Sequence, residues 1–306
     1  MQVPLEDNST EQMVKAIQGV ELLLKTNSTR RQITTHLELE TRIGDYLKAF
    51  DRLGGGVARF RLKITKNIEQ ECMTDIIAEV VRRCEECRSE CVRGPDRVLN
   101  DFLSFIRGSS KVLVHGCGML LAQTIVSALE VRKGVRFFIT EGRPGDLAQR
   151  LIERCRSMPN GFNLKDELTN ACIVVPDSAV GALMPEMDVC LMGAMCVTEH
   201  GGLVHATGSL QIATVAASTN VPCHVVCETF KFSHVFPLST KDLKQPQGSG
   251  LVPAVEFVPP TLLTFVFTEK GIMPPSAVAD EMFRNHTTLS NSSSLVSPVH
   301  VSATFS

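Results

Sequence analysis

Between Asp177 and Glu228 the chain reads DSAVGALMPEMDVCLMGAMCVTEHGGLVHATGSLQIATVAASTNVPCHVVCE. Val189 to Met192 is a short, wholly apolar run, as a strand buried on both faces requires, and it ends in Gly193-Ala194. A polar turn with Gly201-Gly202 follows, then a helical pattern over Ser209 to Thr219, then a second apolar run from His224 to Cys227. Strand, loop, helix and strand in that order predict one βαβ unit, and its loop after Met192 lies on the edge where parallel sheets collect ligands.

Further short apolar runs surround this unit: Val112 to Val114, Val135 to Ile139, Cys172 to Val175 and Leu262 to Phe267. Helical patterns over Met119 to Glu130 and Asp146 to Arg156 separate them. The alternation predicts an α/β fold, a Rossmann-like, largely parallel sheet flanked by helices, over residues 109–284. Pro237 to Pro253 reads as a surface loop, and Asp280 to Arg284 as a last helix. Residues 285–306 form a Ser/Thr-rich tail expected to be disordered.

Residues 1–108 have helical periodicity throughout and predict an amino-terminal helical domain. Met13, Ile17, Val20 and Leu24 make one apolar stripe, and Ile33, Leu37, Ile43, Leu47 and Phe50 a second. A hinge is expected at Gly54-Gly55-Gly56, because each glycine inside a helix costs about 1 kcal/mol against alanine. A long helix is expected over Glu69 to Cys91, a break at Gly94-Pro95-Asp96, and a final helix carrying Val98, Leu99, Phe102, Leu103 and Ile106. Cys84-x-x-Cys87 lies on an apolar stripe with Ile77, Val80 and Cys91. No second cysteine pair accompanies it, so it reads as core packing rather than a metal site.

Composition narrows the function. The 306 residues carry a net charge of -2 and are 43% hydrophobic, which suits a soluble globular chain and argues against nucleic acid as the default partner. No stretch reaches the roughly 18 uninterrupted apolar residues of a membrane span, and Met1 to Thr10 is too polar for a secretory signal, so a cytosolic location with its 11 cysteines reduced is expected.

Several loops are expected to converge at the carboxyl ends of the strands. The residues singled out are His115 and Gly116, Thr140, Glu141 and Arg143, Asp177, Gly193 and Lys231. Glycines admit close backbone approach and Arg143 suits a phosphate, so together they suggest an anion pocket for a sugar phosphate or nucleotide; no cofactor and no metal are expected. Asp177 reads equally as the cap of a helix starting at Ser178, and Lys231 as a surface lysine. A basic run, Arg59, Arg61, Lys63 and Lys66 among Phe60, Leu62 and Ile64, is either a solvated helix face or a surface for a phosphorylated partner, with Arg59, Arg61 and Lys63 as candidates.

The segments Phe138 to Pro144, Pro176 to Gly181, Met187 to Ala194, Asn220 to Phe232 and Thr268 to Val278, in that order, resemble the regulatory-subunit family of the guanine-nucleotide exchange factor for eukaryotic translation initiation factor 2, its alpha type most closely. That superfamily also holds isomerases of ribose 1,5-bisphosphate and methylthioribose 1-phosphate. The resemblance sets their catalytic cysteine and aspartate against Gly116 and Met195, and their Asn-Lys pair against His205-Ala206; a one-residue slip would offer Cys117 instead. Neither Gly116 nor Met195 can move a proton. The resemblance therefore implies a non-catalytic subunit that forms a homodimer, joins beta and delta regulatory subunits, and senses the phosphorylated alpha subunit of initiation factor 2. It leaves exchange chemistry to another chain, in keeping with the lack of any G-x-x-x-x-G-K-[ST] stretch. The alternatives are an active sugar-phosphate isomerase or a free-standing metabolite sensor.

Overall fold

The computed structural model describes residues 9–26, 33–53, 55–66, 68, 70, 72–159, 161, 164–243, 245 and 252–287. The amino-terminal half is helical: α1 (Ser9–Lys25), α2 (His36–Leu47), α3 (Gly55–Thr65) and α4 (Met73–Phe105). Met13, Ile17, Val20 and Leu24 bury their predicted stripe against Ile77, Val80, Cys84 and Cys87 of α4. Cys84 and Cys87 thus pack as core residues, and burial pushes the Cys87 thiol up to about 11. The second stripe shifts: Leu39, Ile43 and Leu47 are buried while Leu37 is exposed, because a capping box between Thr35 and Glu38 starts α2 at His36 and sets its phase.

The expected break at Gly94-Pro95-Asp96 does not occur, and α4 runs through it for 33 residues. An internal proline costs a helix about 3 kcal/mol. Beyond it, Val98 and Phe102 are fully buried against the sheet, and each such side chain contributes about 2–3 kcal/mol. Burial outweighs the local penalty, so α4 belongs to both cores: its first half closes the helical bundle and its second half covers the sheet.

The main sheet has seven strands in the order β11-β10-β7-β4-β1-β2-β3. These are β1 (Lys111–His115), β2 (Arg136–Thr140), β3 (Cys172–Val175), β4 (Val189–Met192), β7 (Cys223–Val226), β10 (Phe265–Thr268) and β11 (Gly271–Met273). All pairs are parallel except β10 with β11. One face packs on α4, α5 (Met119–Val131), α6 (Leu147–Ser157) and α7 (Lys165–Ala171). The other packs on α8 (Val180–Leu183), α9 (Ser209–Ser218) and α10 (Val278–Thr287). The strand expected from Leu262 starts later, after a 3-10 turn at Pro260–Leu262. The expected tail beyond residue 287 lies outside the described residues.

The loop expected after Met192 contains structure. β5 (Cys196–Thr198) and β6 (Leu203–Ala206) form an antiparallel hairpin about Gly201, whose φ is 84°. With β8 (Phe232–Ser233) and β9 (Val255–Val258) they build a second sheet, ordered β8-β5-β6-β9. This small sheet places β6 over the crevice between β1 and β4, where the strand order reverses and an open α/β sheet would seat a ligand.

Candidate functional site

The crevice at the carboxyl ends of β1 and β4 is filled from within the chain. His115, at the end of β1, is fully buried, and its Nδ1 lies 2.7 Å from Thr140 Oγ1. Thr140 spends its own proton on the Val114 carbonyl at 3.2 Å, so His115 Nδ1 must be the donor. Burial lowers the pKa of His115 and keeps the ring neutral. His205, from β6, lies across from it, the two rings edge to face at 5.5 Å. By the same logic Ser209 donates to the Ala206 carbonyl at 2.6 Å and accepts from His205 Nδ1 at 2.9 Å.

Gly116 has a φ of 120°, and a Cβ built on it would stand 2.7 Å from His205 Cε1; one on Gly193 would stand 3.7 Å from His205 Nε2. The imidazole therefore occupies the space that the two glycine loops would open to a ligand. The amino terminus of α9, the nearest ready anion site, is also taken: Glu256 Oε2 accepts from the N–H groups of Gly208 and Leu210, both at 3.0 Å.

Of the eight expected pocket residues, His115, Gly116, Thr140 and Gly193 come together around His205. The other four bond elsewhere, although the Asp177 charge still acts on His115. Asp177 caps no helix; its two oxygens accept from the backbone N–H groups of Gly142 at 2.9 Å and Arg143 at 2.8 Å, and so clamp the loop after β2. Arg143 points outward, bonded to Asp146 at 2.8 Å and 3.6 Å from Glu141, along an open groove of about 300 Å3. Lys231 is not a surface lysine but is buried on a 3-10 turn, 3.1 Å from Glu228 Oε2. The stand-in Cys117 is buried in the core beside α5 and α6, its carbonyl bonded by Arg154, and Met195 packs toward Val204 and Phe257 in the small sheet. Of the two residues that close the site, Glu256 was not among the expected ones, and His205 was named only as the replacement for the isomerases' Asn-Lys pair.

The candidate basic surface separates as well. Arg61 reaches across α2 to the Glu40 carbonyl at 3.4 Å, while Lys63 faces α4 and bonds Glu90 at 2.8 Å. The side chain of Arg59 lies outside the described residues.

A sequence model of the Initiation factor 2 subunit family matches residues 7–275. The chain belongs to that family. It is 25% identical over 229 residues to the "Translation initiation factor eIF2B subunit alpha" of Dictyostelium discoideum, covering 68% of each chain. It is 28% identical over 191 residues to that of Caenorhabditis elegans, covering 59% of each. It is also 25% identical over 210 residues to the "Ribose 1,5-bisphosphate isomerase" of Methanocaldococcus jannaschii, 64% of this chain and 65% of that one. A chain of the tetrameric eIF2B-beta2-delta2 complex from C. thermophilum shares the fold with a TM-score of 0.70 at 17% identity, covering 92% of this chain and 90% of that one. The Pyrococcus horikoshii OT3 translation initiation factor eIF-2B does so with a TM-score of 0.63 at 18% identity, covering 88% and 92%. The chain is thus similar in sequence both to initiation-factor subunits and to an enzyme, and fold alone does not decide between their functions.

Proposed function

We propose that this chain is a non-catalytic, alpha-type regulatory subunit of the exchange complex for translation initiation factor 2. The observation that carries the reading is the pairing of Gly116 with His205. At the position that resemblance assigns to the isomerases' cysteine stands a glycine with positive φ, and an imidazole fills the space beside it. At the aspartate position stands Met195, packed in the small sheet. A crevice with Gly116 and Met195 at the positions that the resemblance assigns to the catalytic thiol and carboxylate, and with the Glu256 carboxylate bonded to the backbone N–H groups of Gly208 and Leu210, supports a structural and regulatory role.

In this reading the α/β half forms a homodimer and joins beta and delta subunits, and the helical half responds to the phosphorylated alpha subunit of initiation factor 2. Regulation is then a coupling free energy: the phosphorylated partner binds one arrangement of the assembly better than another and lowers exchange. The names of the alpha-subunit relatives and the likeness to a beta-delta assembly support it. The test is the native mass of the tagged chain purified gently from its own cells. Recovery with two or more larger subunits, one bearing an exchange domain, is the expected result. Recovery as a lone homo-oligomer that turns over ribose 1,5-bisphosphate would overturn it.

A further inference from the structure

Where the helical half meets the sheet lies a half-open cavity of about 100 Å3. Phe60 of α3, Cys91 and Pro95 of α4, and Phe230 wall it, and Glu228 and Glu269, from the ends of β7 and β10, also line it. It is a different place from the β1/β4 crevice. Glu228 is 3% exposed; its Oε1 accepts from Thr10 Oγ1 at 2.5 Å. Its Oε2 lies 3.1 Å from Lys231 Nζ but accepts no hydrogen bond among the described residues. The oxygens of Glu269 accept from the Thr229 N–H at 3.2 and 3.0 Å and from the Thr229 hydroxyl, and the carboxylate forms no ion pair among the described residues. Two lysines line the cavity, yet both ammoniums go to Glu90, Lys63 at 2.8 Å and Lys270 at 3.3 Å.

A buried carboxylate without a cation is costly, and a second carboxylate nearby adds repulsion. Burial, with a contribution from the Glu228 charge, accordingly raises the pKa of Glu269. An ammonium entering the void would accept this geometry well. It would donate a charge-assisted hydrogen bond to the Glu269 carboxylate, while an apolar body lay between Phe60 and Phe230.

We infer that this interdomain cavity is a binding site for a small organic cation, a primary ammonium with an apolar body. Its volume suits about four heavy atoms, given that an apolar cavity of about 150 Å3 admits benzene. Because its walls come from both halves of the chain, occupancy fixes the helical half against the sheet. The inference goes beyond the subunit assignment and does not depend on it.

The test uses the full chain and thermal unfolding at neutral pH, with about 10 mM n-propylammonium chloride, 1-propanol or sodium chloride added. Stabilisation by propylammonium alone is expected. Glu269→Gln should weaken that response by about tenfold, the loss of one charge-assisted bond. Cys91→Leu, which fills the void and keeps both carboxylates, should abolish it, and keeps the test decisive should Glu269→Gln fail to fold. Equal stabilisation by propanol, no response to either probe, or an undiminished response in both variants would overturn the inference.

Discussion

The Cε1 of His205 lies 2.7 Å from where a Cβ on Gly116 would stand, and its Nε2 lies 2.8 Å away. The ring cannot swing clear without losing Ser209, which holds its Nδ1 at 2.9 Å. Gly116→Ala should therefore destabilise the chain by about 2–4 kcal/mol, part from the positive φ and part from the contact. In a His205→Ala background only the backbone part, about 1–2 kcal/mol, should remain. Urea denaturation of the two single variants and the double variant measures the difference. Additive effects would mean that the two residues do not compete for space. For the same reason Gly116→Cys with Met195→Asp should give no isomerase turnover.

Asp177 holds the loop after β2 through two backbone donors, Gly142 and Arg143. Hydrogen bonds to a charged acceptor contribute about 1.5–3 kcal/mol each when buried, and this partly exposed pair less. Asp177→Ala should cost about 1–3 kcal/mol and speed hydrogen exchange at the Gly142 and Arg143 amides, leaving the β1 amides protected. Were Asp177 a plain helix cap, the change in exchange would appear instead at Ala179 and Val180.

His224 is buried among Phe105, Phe265 and Phe267, with ring separations of 5.9, 5.7 and 5.3 Å, and its Nδ1 has no hydrogen-bond partner among the described residues. Burial lowers its pKa to about 4. The folded state thus resists protonation that the unfolded chain accepts below about pH 6.5. The neutral ring's contribution is intact above that pH, and stability falls as pH drops from about 6.5 to 4, by roughly 3 kcal/mol from this group. His224→Leu removes no hydrogen bond from Nδ1 and should flatten that slope, gaining more stability at pH 5 than at pH 7.5. Chemical denaturation across the window reads it; an unchanged slope would assign the pH dependence to other groups, His115 among them.

Much of the main sheet could be read from the sequence because runs such as Val189 to Met192 are buried on both faces and so are apolar without interruption. The small sheet could not. Its strands are two to four residues long, and their only local signals are the Gly201-Gly202 turn and the alternation in Val255-Glu256-Phe257-Val258. The continuity of α4 was hidden for a different reason: Gly94-Pro95 is a true local stop signal, overridden by the burial of Val98 and Phe102 in a core that local sequence does not report. The site divides the same way. Residues on the β1 and β4 loops were found because parallel strands bring their ends together, whereas His205 and Glu256 reach the crevice only through the unrecognised hairpin and its neighbour β9.

The basic run on α3 was expected to offer one charged face, but Arg61 and Lys63 point to opposite neighbours, and this separates two tests. Arg61 is exposed and spans α2 through one long bond to the Glu40 carbonyl, so Arg61→Glu should change stability by no more than about 0.5 kcal/mol. Lys63 is half-buried between Glu90 and the lining of the interdomain cavity, where a carboxylate would face Glu90 across what is now a 2.8 Å bond. Lys63→Glu should therefore cost about 1–3 kcal/mol. If the helical half reads a phosphorylated partner through exposed charge, Arg61→Glu should weaken binding to that partner with folding intact, whereas Lys63→Glu should weaken both together. Binding measured beside denaturation for each variant resolves the two effects. Full phospho-dependent binding in Arg61→Glu would remove this residue from the proposed surface.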